Sequence, residues 1–237
     1  MAKSGFECNL IFVGAPKTEP ERELSMAVED YLKEICKVEL AGERATTTAL
    51  ATRLGVAAAS VTGMTKRLAA SGLIERTPYR GFALTTKGRR AALAVLRHHR
   101  LLEHYLAETF GMSLENAHVE AERLEHAISE SVLRRMDEQL GFPRFDPHGH
   151  PIPDASLKVA DAQHRPLSDL EAGERAVIRH VPDADAALLR YLEGLSLVPG
   201  TNVEVRAVAP FRGPLTVRAA GADHALAHEV AAAIGVD

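Results

Sequence analysis

The chain has 237 residues, 46% hydrophobic and 25% charged, with no Trp and a formal net charge of −4. That length and apolar content suit one large or two small domains with real cores. Two cysteines, Cys8 and Cys36, exclude a disulfide framework and fit a reducing, cytoplasmic compartment, and the early apolar run Leu10–Ala15 is too short to cross a membrane.

The charge is unevenly spread. Residues 26–100 carry 13 Lys+Arg against 6 Asp+Glu, a balance of +7, whereas residues 101–237 carry 12 against 22, a balance of −10. A basic front on an acidic back suits a nucleic-acid-binding head joined to a regulatory body.

In chain order, residues 1–25 read as a flexible extension. From Met26 to Leu40, Val28, Tyr31, Leu32, Ile35 and Val38 recur at helical spacing. "TTTALATRLGV" predicts a short helix capped by Thr46 or Thr47 and stopped by Gly55, and "AAASVTGMTKRLAASGLIER" a second helix closed at Ser71-Gly72. Helix, glycine turn and helix make a helix-turn-helix. "GLIERTPYRGFALTTKG" then alternates and turns at Arg80-Gly81, which predicts a two-stranded wing. Thr86 is placed as cap of a long helix ending at Gly111, Ser113 begins the next, and another spans about Ser129 to Leu140. "FPRFDPHGHPIPD" can be neither helix nor central strand. "LSDLEAGERAVIRHV", "NVEVRAVAP" and "PLTVRAA" read as strands of a small barrel, with a helix at Asp183–Leu195. The expected organisation is a winged helix-turn-helix DNA-binding domain at 26–96, a helical metal-binding and dimerisation domain at 97–154, a linker at 155–166 and a β-barrel at 167–237. The fold class is mainly α with small β.

Two sets of residues carry chemistry. A winged helix-turn-helix presents the start of its second helix to the major groove and its wing to the backbone or minor groove. The candidates for DNA contact are Ser60, Thr62, Gly63 and Lys66, with Thr47 and Thr48 against phosphates and Arg80 at the wing tip reaching a phosphate or the minor groove. The helix opens on Ala57, Ala58 and Ala59, so base readout rests partly on methyl contacts and DNA shape.

The second set lies in "HVEAERLEH", where His118, Glu122, Glu125 and His126 stand at i, i+4, i+7 and i+8 and share one stripe of a helix. His99 and Glu103 repeat the i, i+4 spacing on the preceding helix, flanked by His98 and His104. Asp30 sits among apolar residues of the first helix, where an unpaired carboxylate is costly. A bound dication accounts for all these inward-facing polar groups. The motifs of zincins, di-iron bundles, phosphate loops and serine elbows are absent, which disfavours an enzyme.

"EDYLKEI", "VTGMTKRL", "YRGFALTTKG", "RHHRLLEHYL", "EAERLEH" and "DPHGHPIP", in this order, resemble the diphtheria toxin repressor family of metal-dependent transcriptional regulators, which includes the manganese transport regulator. The C-terminal part resembles the SH3-like (FeoA-like) domain of longer members. The resemblance implies a homodimer that binds a palindromic double-stranded operator when loaded with about two divalent ions per chain. It implies a primary site of Asp30, Glu122, Glu125 and His126 and an ancillary site of His99, Glu103 and His118. His180, Asp183 and Asp185 are open as ligands from the barrel. Iron-type members have Met and Cys where this chain has Asp30 and Glu122, the residue types of the manganese-type branch. That branch also has a second acid where this chain has Lys33, which points to two separate sites and not a binuclear one. Hard oxygen ligands suit Mn(II), with Fe(II) next. The competing readings are an iron-responsive repressor of this family and a winged-helix regulator with structural metals and an organic effector.

Overall fold

The computed structural model describes residues 24–77 and 81–237. The expected extension therefore lies, up to residue 23, outside the described residues, as does Arg80 at the wing tip. Leu24 already packs on the first core, and the Ser25 carbonyl accepts from Val28 and Glu29 N–H to open the first helix.

The head comprises α1 (Met26–Leu40), α2 (Thr47–Leu54), α3 (Ala58–Ala70) and an antiparallel pair, β1 (Ile74–Thr77) and β2 (Gly81–Leu84). Thr46 caps α2 by accepting from Ala49 N–H, and Gly55 ends it with φ of 64°, a conformation open to a residue without a Cβ. Leu32, Ile35, Leu50, Val61, Leu68 and Leu96 fill the core beneath, all essentially inaccessible to water.

The long helix α4 (Thr86–Phe110) leaves the head and carries the middle region. Its cap is Thr85, one residue earlier than the sequence pattern placed it, because Thr85 also donates to the Leu73 and Gly72 carbonyls and accepts from Gly88 N–H. α5 (Leu114–Leu124), capped by Ser113, and α6 (Glu130–Gln139), capped by Ser129, pack on α4. α5 is shorter than the stripe through His126 requires. Glu125 is its C-cap and His126 lies in the following turn, since Ser129 starts a new helix only a few residues on.

The C-terminal domain is a six-stranded antiparallel sheet in the order β3-β8-β4-β5-β6-β7. Its strands are β3 (Arg165–Pro166), β4 (Arg175–His180), β5 (Asn202–Val208), β6 (Leu215–Ala219), β7 (Ala222–Leu226) and β8 (Gly235–Val236), with α7 (Ala186–Gly194) and α8 (His228–Ala233). The strand read from Leu167 starts only at Arg175, because Leu167–Asp169 forms a 3-10 turn. β7, β8 and α8 escaped the sequence pattern: "ADHAL" is short and largely exposed, and β8 has two residues.

The segment expected as a linker is tied down at both ends: Leu157 and Val159 pack against the head core, and Arg165–Pro166 forms β3 and pairs with β8. Val181 N–H donates to the His148 carbonyl across the junction with the β-domain. α7 docks on α5 through Arg190–Glu115 and through Leu114 N–H donating to Glu193 at 2.8 Å.

A Cβ at Gly88 would lie 1.8 Å from the Leu73 carbonyl oxygen. Gly88→Ala must therefore push α4 off the wing. We expect it to lower stability by about 2 kcal/mol, readable as an earlier denaturant midpoint, within the range of overpacking costs.

Candidate metal centre

Three segments deliver the chemistry. α1 brings Asp30 and Lys33, α4 brings His99 and Glu103 one turn apart, and α5 with its exit turn brings His118, Glu122, Glu125 and His126. The packing of α4 on α5 sets the His99 and His118 rings edge to face at 5.0 Å.

Asp30, Glu125 and His126 each offer an atom within 4.8 Å of the others. His126 Nε2 lies 2.9 Å from Asp30 Oδ1 and 3.3 Å from Glu125 Oε1. Its other nitrogen, Nδ1, meets Glu29 at 2.6 Å, which fixes the ring as carboxylate partners fix metal-binding histidines. Glu29 was not singled out in the sequence; an acid in the first turn of α1 reads as an ordinary helix-start preference.

His99, His118 and Glu122 make a second group. Glu103 Oε1 sits 2.9 Å from His99 Nε2 and 2.7 Å from His118 Nδ1. Glu122, which the resemblance assigns to the primary site, also lies 3.7 Å from His99 and so falls within this second group. Lys33 Nζ lies 2.7 Å from Glu122 Oε1 and 2.6 Å from Glu125 Oε1 and holds both carboxylates against α1, the helix that also carries Asp30. Glu125 also reaches His99 Nδ1 at 2.6 Å, so it links the two groups.

A third group, Asp146, His148 and His150, lies in "DPHGHPIP". His148 Nδ1 comes within 3.7 Å of Glu103. Loop residues carry no periodic signal, so nothing in the sequence pattern marks these three as ligands. Of the barrel candidates, Asp183 pairs with Lys37 at 2.6 Å, His180 packs beside His150, and Asp185 accepts from Ala187 and Leu188 N–H as the cap of α7. Capping commits Asp185 to the helix start. A cavity of about 280 Å³ lined by Asp30, Lys33, Lys37, His118, Glu122 and Asp183 gives solvent a route to both groups.

The electrostatics are dominated by burial. Burial alone would lower the Lys33 pKa, but Glu125 and Glu122 outweigh it and raise the pKa. His99 is likewise carried against its burial up to about 9 by Glu103 and Glu125. Asp30, less well paired, is raised by burial. His99 Nε2, Glu103 Oε2 and both nitrogens of His148 are buried without an aligned hydrogen-bond partner. Native interiors seldom leave such atoms unpaired, and a coordinated cation accounts for them. The donors are oxygens and imidazole nitrogens. Cys36, fully buried in the head core, takes no part.

On the DNA side, Thr48, Ser60, Gly63 and Lys66 are exposed, Thr47 and Thr62 half-buried. Thr62 Oγ1 donates to the Ala58 carbonyl, which leaves its methyl for contact.

Residues 85–154 match the metal binding and dimerisation domain of iron dependent repressors, residues 23–82 their N-terminal DNA binding domain, and residues 165–237 the FeoA domain. The chain is 34% identical to the iron-dependent repressor IdeR of Mycobacterium leprae, over 88% of this chain and 96% of that one. The chain belongs to the diphtheria toxin repressor family. The diphtheria toxin repressor of Corynebacterium efficiens itself is 31% identical over 78% of this chain and 84% of its own. A manganese-dependent transcriptional repressor solved in complex with manganese superposes with a TM-score of 0.79 at 36% identity, covering 88% of this chain and 98% of that chain. Members of this family are metal-dependent transcriptional repressors and not enzymes.

Two outcomes follow from the geometry. Lys33→Met leaves Glu125 short of its closest cation, and we expect the chelator-treated protein to lose about 3 kcal/mol of stability by urea unfolding, as for a broken buried ion pair. Coordination requires a neutral imidazole, and His99 holds its proton up to about 9. Mn(II) affinity should therefore rise from pH 6.5 toward 9 with proton release into the buffer; a flat profile in a competition titration would contradict the assignment.

Proposed function

We propose that the protein is a manganese-responsive repressor whose dimer binds a palindromic operator when Asp30, Glu122, Glu125 and His126 hold one Mn(II) and His99, Glu103 and His118 a second. The observation that carries this reading is the donor set: carboxylates and imidazoles with no thiolate or thioether among them, a hard site that suits Mn(II).

A bound dication supplies positive charge and directional coordination that hydrogen bonds among these groups cannot. The residues do the rest. Asp30 belongs to the head, Glu122, Glu125 and His126 to the middle region, so a ligand set shared between them restricts how the head moves. The head then meets DNA with less conformational freedom to lose, and a coupling of about 1–3 kcal/mol changes operator affinity roughly 5- to 150-fold. Lys33 fills the position where a second acid would permit a binuclear site, which supports two separate ions. Thr47, Thr48 and Arg80 face phosphates in this reading, and Ser60, Thr62, Gly63 and Lys66 face the major groove. Exposed Val119 and Leu124 on α5, with Phe110 at the end of α4, offer the apolar face for the second protomer.

No helix among the described residues is long and apolar enough to cross a membrane, and the reading places the protein in the cytoplasm with its DNA. Fe(II) is the second reading, supported by the same hard donors and by identity to an iron-dependent repressor.

Anaerobic titration of Mn(II) and Fe(II) against operator binding separates the two. Glu122→Ala should abolish metal-stimulated operator binding while sedimentation still reports a folded dimer. A variant that responds to Mn(II) as the wild type does removes the site assignment, and operator affinity untouched by chelator favours an organic effector.

A further inference from the structure

Between the two groups that join head and middle region stands a cation the chain supplies itself. Lys33 Nζ lies 2.6 Å from Glu125 Oε1, and that same oxygen faces His126 Nε2 at 3.3 Å. On its other side Nζ lies 2.7 Å from Glu122 Oε1, the oxygen that stands 3.7 Å from His99 Nδ1 and 4.0 Å from His118 Nε2. One ammonium therefore holds an oxygen of each group. It draws on the negative charge and lone pairs that an incoming dication needs.

The head core gives no reason for a lysine at this position. Its neighbours on α1, Leu32, Ile35 and Cys36, are wholly buried, and Lys33 itself is 1% exposed. An apolar side chain fills such a place at less cost than an ion pair taken out of water. The carboxylates give the reason. Glu103 and Glu125 are fully buried, with Asp30 and Glu122 nearby, and like charges held this close oppose one another unless a positive charge lies among them.

The ammonium also has somewhere to go. Lys33 lines the cavity of about 280 Å³ together with Asp30, Glu34 and Asp183, and its flexible stem can carry the charge to a new position there. Lys37, by contrast, is committed to Asp183 at 2.6 Å.

We infer that Lys33 is an internal competitor for the metal: its ammonium holds Glu122 and Glu125 while the site is empty and leaves them when a dication loads. This inference rests on the metal-sensing reading above and adds what sets its threshold. The tethered ammonium keeps both carboxylates in place without a metal, and for the same reason it raises the concentration of ion needed to fill the site. A positive charge beside a buried dication weakens its binding, and removing that charge strengthens it.

The test sets chelator-stripped, full-length protein against a fluorescent chelator in competition for Mn(II). Lys33→Met and Lys33→Gln should each hold the first Mn(II) at least about tenfold more tightly than wild type. Lys33→Gln keeps a hydrogen-bond donor, and melting curves with and without Mn(II) verify that both variants fold. Lys87→Met removes an equal charge from an exposed position at the start of α4 and should leave the affinity unchanged. A lysine that only fastened the two glutamates has the opposite signature, since its loss weakens Mn(II) binding. Affinity equal to wild type or weaker in both Lys33 variants, with Mn(II) still bound by wild type, overturns the competitor alone. Wild type that takes up no Mn(II) removes the metal-sensing reading and this inference with it.

Discussion

The buried ammonium of Lys33 is the contact on which the arrangement depends. A lysine with 1% of its side chain exposed costs several kcal/mol in lost hydration, repaid only by carboxylates held against it in good geometry. Those carboxylates, Glu122 and Glu125, come from the far side of the domain boundary. Moving the head away would strand a cation on one side and a fully buried Glu125 on the other. Head position and the charge state of the metal centre are therefore one variable. Whatever satisfies Glu122 and Glu125 decides how firmly α1 is held.

Lys37, one turn further along α1, repeats the device toward the β-domain. Its ammonium meets Asp183, whose carboxyl is held well below its usual range by that ion pair despite burial. Glu103 lies at the centre, touched by His99 and His118 and approached by His148 from the loop. Three parts of the chain thus converge on a cluster of acids and imidazoles whose hydrogen bonds leave several atoms unmatched. In water such a cluster would scatter; at low dielectric it demands compensating charge.

Much of this was legible in the sequence because helices advertise themselves. The apolar period of α1, the Gly55 turn, and the pairs His99/Glu103 and His118/Glu122 all follow from 3.6-residue spacing. What escaped was irregular. His126 appeared to share the helix with His118, but the chain turns out of α5 at Glu125, and the ring reaches Asp30 from a turn. Glu29 and the Asp146–His150 loop matter through where tertiary packing puts them. The pairing of Glu122 with Lys33 could not be read either, since Lys33 arrives from a helix almost ninety positions earlier. In the β-domain, two-residue strands and a short, largely exposed β7 carry too few alternating positions to register.

Leu157 and Val159, the strap that returns to the head core, set an order on biosynthesis. All helices and strands of the head leave the ribosome well before these two half-buried side chains, which pack against the edge of its core. Until then the apolar atoms these two side chains cover stay open to solvent, so the nascent head gains this contact only once the metal-binding region has been translated behind it. A repressor assembled this way receives the last cover of its reading head from the far side of its sensor.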